Sequence, residues 1–111
     1  MIILKNIDKK YHFKIKKTVS NFLGDNNINS QSSVSVEFVS SKKIKALNKK
    51  CRKLDKPTDV LSFPIWKNIQ DIPRGVVNLG DIFICPEQTD IEKRLEFLVL
   101  HSLNHLVGIH H

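Results

Sequence analysis

Four of the chain's five histidines crowd into its last eleven residues, His101-Ser102-Leu103-Asn104-His105-Leu106-Val107-Gly108-Ile109-His110-His111. On a helix, residues four apart stand on one face a turn apart, so His101 and His105 can aim two imidazoles at one ion. Glycine accepts positive φ, so Gly108 can end the helix and turn the chain back. That return brings His111 to the same ion as a third nitrogen ligand, with His110 as the other candidate. Three protein ligands and an open fourth position describe a catalytic zinc site rather than a closed structural one. An ion so held lowers the pKa of a coordinated water to about 7, which makes hydrolysis available near neutrality. One Zn2+ is therefore the expected cofactor, although three imidazoles also suit nickel, copper or iron. The competing reading is a His-rich tail. Embedding among Leu103, Leu106 and Val107 argues against it for His101 and His105, and less for His110 and His111.

The same spacing occurs in metzincin proteases, where a glutamate after the first histidine is the general base. Here that position is Ser102, a poor base at neutral pH, and no carboxylate lies within the motif. A metalloprotease-like hydrolase is thereby the weaker alternative.

The elements that must carry these residues follow from periodicity. Residues 2–4 read as a short strand. Tyr11, Ile15, Val19 and Phe22 recur at helical spacing in a helix from about Asp8, with Gly24 expected as its C-terminal stop. Val34, Val36 and Phe38 alternate with polar residues, as in a half-buried strand. Ser40 or Ser41 should cap a helix that carries Ile44, Leu47 and Cys51 inward and Lys42, Lys43, Lys45, Lys49 and Lys50 outward. Val60, Leu61 and Phe63 predict a third strand closed by Pro64. Residues 65–78 read as a loop, and Leu79 to Cys85 as a fourth strand. Thr89-Asp90-Ile91-Glu92 fits a capping box, with Thr89 as N-cap. The last helix is apolar on all sides at Phe97-Leu98-Val99-Leu100, so central burial is expected. The sum is an α+β domain over residues 1–111: a small mixed four-stranded sheet packed with helices, its buried C-terminal helix carrying the histidines. The first two strand–helix–strand passages suit right-handed parallel crossovers.

With 111 residues and 41% hydrophobic content, one packed domain with one core is expected. No apolar run approaches the roughly 20 residues that span a membrane, and the short apolar start lacks the features of a signal peptide. A cytoplasmic protein is the expectation. Cys51 and Cys85, with no Cys-x-x-Cys pair, read as free thiols. The net charge of +7, from 18 Lys+Arg against 11 Asp+Glu, favours a polyanionic partner, although a solvated lysine-rich face would give the same balance.

Several blocks together resemble one family, the YbeY endoribonucleases. The signature is His101-x-x-x-His105-x-x-Gly108-x-x-His111. Upstream, Leu47-Asn48, Arg52 and Asp55-Lys56-Pro57-Thr58-Asp59-Val60-Leu61-Ser62-Phe63-Pro64 are similar to a second block of that family, and Leu79-Gly80-Asp81-Ile82 to a third. The blocks cover roughly residues 47–111 in family order. The resemblance implies a small mixed sheet flanked by helices. It implies a zinc-dependent endoribonuclease acting on single-stranded RNA, in small-subunit ribosomal RNA maturation and ribosome quality control. It implies zinc ligands at His101, His105 and His111, and a catalytic role at Arg52 in RNA contact or transition-state charge.

The chemistry of Arg52 fits, because a guanidinium presents a fixed donor fork matched to phosphate oxygens. Lys49, Lys50, Lys53 and Lys56 would extend a backbone-binding surface around it. A structural salt bridge at a helix end is the bland reading of Arg52. Thr58, Asp59 and Ser62 read as turn and cap residues, and Gly80 as a point of close backbone approach. The chain departs from the family pattern at Ser102 (usually Gly), Asn104 (usually Leu), Ile109-His110 (usually Tyr-Asp) and Cys51 (often aromatic). Its stretch between Asp81 and His101 is also shorter. A non-catalytic RNA- or ribosome-binding module with a structural metal is the third reading that these residues leave open.

Overall fold

The structure is a computed structural model that describes residues 1–109. Four strands, β1 (Ile2–Lys5), β2 (Ser33–Phe38), β3 (Val60–Pro64) and β4 (Asn78–Ile84), form one sheet in the order β1-β2-β4-β3. Helices α1 (His12–Asp25), α2 (Ser41–Arg52) and α3 (Ile91–Leu106) complete it, with short 3-10 turns at Lys9–Tyr11, Ile69–Asp71 and Pro86–Gln88. The mixed α+β sheet expected from periodicity is present.

The β1–α1–β2 passage is a parallel crossover between neighbours. The second expected crossover is not one. β4 inserts between β2 and β3, pairs parallel with β2, and pairs antiparallel with β3. β3 is thus an edge strand, placed there because β4 is the partner that buries both faces of the sheet centre.

Alternation assigns the two faces. The cross-strand row Leu4–Val36–Ile82–Ser62 points to the side covered by α1 and α3. There Ile15, Val19 and Phe22 of α1 meet Leu95, Leu98, Val99, Leu103 and Leu106 of α3. Each such buried side chain contributes about 1.5–3 kcal/mol. Leu61 points to the opposite face, where it joins Ile44 of α2 with Val39 and Cys85. Both cysteines are free thiols, as expected, with Cys85 buried; Cys51, expected to face inward, is instead exposed in the last turn of α2, where the helix runs past the edge of the core.

Local chemistry explains the helix ends, and here several expectations are corrected. Ser40 caps α2, its hydroxyl accepting from the Lys43 amide at 3.2 Å. Gly24 does not stop α1. Asn27 takes the left-handed position (φ 56°), and the Ile28 amide closes back on the Leu23 carbonyl at 2.9 Å. This ending seats Ile28 in the core, which a stop at Gly24 would not do. The capping box at Thr89 does not form. Asp90 is the N-cap without a side-chain bond, and Glu92 instead accepts from the Tyr11 hydroxyl at 2.6 Å. A tertiary partner outcompetes the local one. Nor is α3 buried all round, since Phe97 is 56% and Leu100 43% exposed. One stripe suffices to cover the sheet, and these two residues fall outside it.

Gly80 carries an irregularity in β4. Ser33 pairs with Asn78 but Ser35 with Asp81, so β4 holds one extra residue. Gly80 has φ +126°, and a Cβ there would collide with the Phe63 carbonyl oxygen. The close backbone approach expected at this glycine is therefore present.

Candidate active site

Where α2 ends, β3 forms the sheet edge and α3 passes over it, a cleft of about 290 Å³ opens. Arg52 lines it from α2, Val60, Leu61 and Ser62 from β3, and His101, Ser102 and His105 from α3. Three of the four site residues expected from sequence, Arg52, His101 and His105, are thus brought to one place from distant parts of the chain. His111, the fourth, and His110, its alternative, lie outside the described residues.

Arg52 is the last residue of α2, and Lys53 turns the chain sharply with φ 59°. The loop that follows is clamped by Asn48, a fully buried residue one helical turn before Arg52. Its Nδ2 donates to the Lys56 carbonyl at 2.9 Å, and its own backbone carbonyl accepts from the Leu54 amide at 3.3 Å. Basic residues in this last turn are also favoured by the negative end of the helix dipole. Lys45 and Lys49 stand 4.0 and 3.9 Å from the Asp55 carboxylate. Lys50, Lys53 and Lys56 form no ion pair among the described residues and are exposed. The flank of the cleft therefore presents cationic charge to solvent.

The histidine helix ends as its motif requires. Gly108 takes φ +78°, its amide donates to the His105 carbonyl at 3.1 Å, and the Ile109 amide donates to the Asn104 carbonyl at 2.8 Å. This is the Schellman ending, with glycine at the left-handed position. A Cβ at Gly108 would collide with the Lys67 carbonyl oxygen, so the turn is also wedged against the loop before β4.

Each imidazole has a neighbour that orients it. His101 stacks on Phe97, one turn earlier, with ring centroids 5.8 Å apart and planes within 12°. The Arg94 guanidinium lies 5.1 Å from the centre of the Phe97 ring. His105 has its Nδ1 2.5 Å from the Ser62 hydroxyl oxygen. Ser62 and Phe97 are the residues that reading the sequence missed. Ser62, expected as a turn or cap residue, stands instead within β3, and Phe97 was read only as part of the apolar run Phe97-Leu98-Val99-Leu100.

The donor set suits a borderline metal. His101 and His105 are both exposed into the cleft, and imidazole nitrogen is a common zinc ligand. No cluster of three or more His, Cys, Asp or Glu able to hold a metal occurs among the described residues. Two imidazoles are what they provide. No helix among the described residues is long and apolar enough to cross a membrane.

Fold and cleft together define a small α+β domain whose sheet edge offers a guanidinium and imidazoles to an anionic substrate. The family model described as Endoribonuclease YbeY matches residues 3–111, and the chain belongs to that family. A Lactobacillus gasseri protein named Endoribonuclease YbeY is 33% identical over 125 residues, covering 97% of this chain and 71% of the relative. Its namesake in Alkaliphilus metalliredigens is 36% identical over 115 residues, covering 95% and 74%. A third, from Caldicellulosiruptor saccharolyticus, is 33% identical over 134 residues, covering 99% and 84%. Alignments of 125, 115 and 134 positions all exceed the chain's 111 residues, so these three relatives carry extra residues inside the matched region. The solution structure of a Thermotoga maritima protein superposes with a TM-score of 0.56 at 26% identity, covering all of this chain and 73% of that one.

Proposed function

We propose that this chain, as one domain over residues 1–111, is a metal-dependent endoribonuclease. Its substrate is single-stranded RNA, with small-subunit ribosomal RNA as the natural target in cytoplasmic ribosome maturation and quality control. The cofactor is one zinc ion, held by His101, His105 and His111. The observation that carries this reading is the convergence of Arg52 with His101 and His105 on one cleft. The names of the relatives supply the reaction class.

When bound, the ion supplies a Lewis acid and a nucleophile at neutral pH. The protein does the rest. Arg52 is the catalytic residue that grips non-bridging oxygens of the scissile phosphate with its donor fork. Charge accumulates on those oxygens as the attacking group arrives, and a fixed guanidinium meets it without reorganisation. Lys50, Lys53 and Lys56 hold the flanking phosphates, which gives binding without base readout. The edge position of β3 leaves one side of the cleft open, so an extended strand can lie across it.

The test is cleavage of a labelled single-stranded RNA by untagged protein, with chelator and after addition of Zn2+. Chelator-sensitive cutting that His105→Ala abolishes is expected. Cutting that survives both chelator and His105→Ala, or no cutting with any divalent ion, overturns the reading.

A further inference from the structure

We infer that Phe97 is a stacking platform for one base of the bound RNA, that of a nucleotide beside the scissile phosphate; this rests on the reading of the substrate as single-stranded RNA above.

A single apolar side chain on a surface is ordinary. Phe97 differs in where it stands and in how it is held. It is 56% exposed, and it sits one turn, about 6 Å, before His101, which lines the cleft. The two rings are parallel within 12° at a centroid separation of 5.8 Å. Flat groups in contact lie about 3.5–4.0 Å apart, so these rings are slipped sideways by roughly 4 Å and overlap little. Much of the Phe97 face is therefore left uncovered by His101. The Arg94 guanidinium lies 5.1 Å from the ring centre, and its bond to the Asp59 carboxylate at 3.2 Å fixes it there. Arg94, Phe97 and His101 thus climb α3 as a staggered strip of flat groups that ends in the cleft.

A nucleobase fits this strip better than an aliphatic partner does. Aromatic faces and guanidinium planes are the surfaces on which unpaired bases stack. The surroundings are cationic, with Lys93 exposed on α3 and Lys50, Lys53 and Lys56 exposed across the cleft. Those charges draw a phosphate backbone and add nothing to an apolar contact with another protein. The position also explains selection of single strands. A duplex offers phosphates to the lysines as readily as a single strand does, but its bases are already stacked and paired. Only an unpaired base has a face to lay against Phe97.

The test uses chelator-treated protein, so that the RNA stays whole, and two labelled polymers: a short single-stranded RNA and a ribose-phosphate strand of equal length without bases. In Phe97→Trp, the RNA should quench the emission of the introduced indole, and the baseless strand should not. Wild type, whose one tryptophan is Trp66 on the loop before β4, is the control. Fluorescence anisotropy then gives the affinity of wild type and Phe97→Leu for both strands. Leucine keeps the helix propensity and the apolar bulk and removes the flat face. Phe97→Leu should bind the RNA about 5- to 150-fold more weakly, the worth of one stacked base, and bind the baseless strand as wild type does. Equal RNA affinity in wild type and Phe97→Leu overturns the proposal. An equal loss for both strands overturns it too, by assigning Phe97 to the shape of the site alone. Should wild type bind RNA in this base-dependent way yet cut none once Zn2+ is restored, the nuclease reading fails by itself and the role of Phe97 stands.

Discussion

The Arg94 guanidinium on α3 donates to the Asp59 carboxylate at the entrance to β3, Nη1 to Oδ2, over 3.2 Å. The same guanidinium lies against the Phe97 ring, on which His101 stacks. Asp59, read from sequence as a turn residue, thus ties the strand edge to the histidine helix. With side chains 45% and 29% exposed, solvent screens the pair. Arg94→Ala should lower stability by about 1 kcal/mol or less, and the loss should shrink further at high salt. Urea denaturation at low and high ionic strength checks this. A loss that is large and independent of salt would show that Arg94 acts through packing instead.

Arg52 lines the cleft from the exposed end of α2, and the proposed function has it act on the substrate and not on the fold. Arg52→Ala should slow RNA cleavage about 10²- to 10³-fold, as removal of one charge-stabilising donor does elsewhere, with melting temperature and metal content unchanged. Arg52→Lys should restore only part, because an ammonium lacks the planar fork. Single-turnover kinetics with saturating RNA separate this from lost binding.

Asn48 reaches the loop after Arg52 from inside the protein, through its bond to the Lys56 carbonyl. Asn48→Ala should destabilise by about 1 kcal/mol, since the part-buried Lys56 carbonyl loses its donor. A shifted urea midpoint at unchanged slope would be the signature. Cleavage should fall as well, because the loop that flanks Arg52 loses its anchor.

Gly80→Ala forces a side chain into φ +126° and against the Phe63 carbonyl. Destabilisation of about 1–3 kcal/mol is expected from the backbone conformation alone. Thermal unfolding measures it. An unshifted melting temperature would mean that the β4 irregularity relaxes.

Glu92 bonds the Tyr11 hydroxyl, and Lys10 stands 3.3 Å away. The Tyr11 hydrogen bond, followed by that from Lys10, lowers the Glu92 pKa below its ordinary value. A depressed carboxyl pKa means stability that is full above the unfolded-state value, about 4.3, and is lost as pH falls through the lower folded-state value. Glu92→Gln should therefore melt below wild type at pH 6, and the gap should close in strongly acidic buffer. A gap that persists there would assign the effect to packing. At the alkaline end, the raised pKa values of Tyr11 and Lys10, each chiefly through the hydrogen bond to Glu92, mean that the same link is lost as pH rises through those folded-state values.

Much of the site was legible without the structure because it is local. Spacing of four puts His101 and His105 on one helix face, and Gly108 is the residue type that the reversed φ at a helix end demands. Strand alternation placed β2, the apolar Val60, Leu61 and Phe63 before Pro64 placed β3, and serine chemistry placed the cap of α2. These features depend on neighbours within a turn or a pleat, which sequence displays directly. Only the tertiary structure decided the strand order that makes β3 an edge, the opening there that admits Arg52 beside the histidines, the pairing of Ser62 with His105, and the capture of Glu92 by Tyr11. Those relationships join residues distant in the chain. They arise from which faces must be buried together, a requirement of the whole core that no short stretch of sequence encodes by itself.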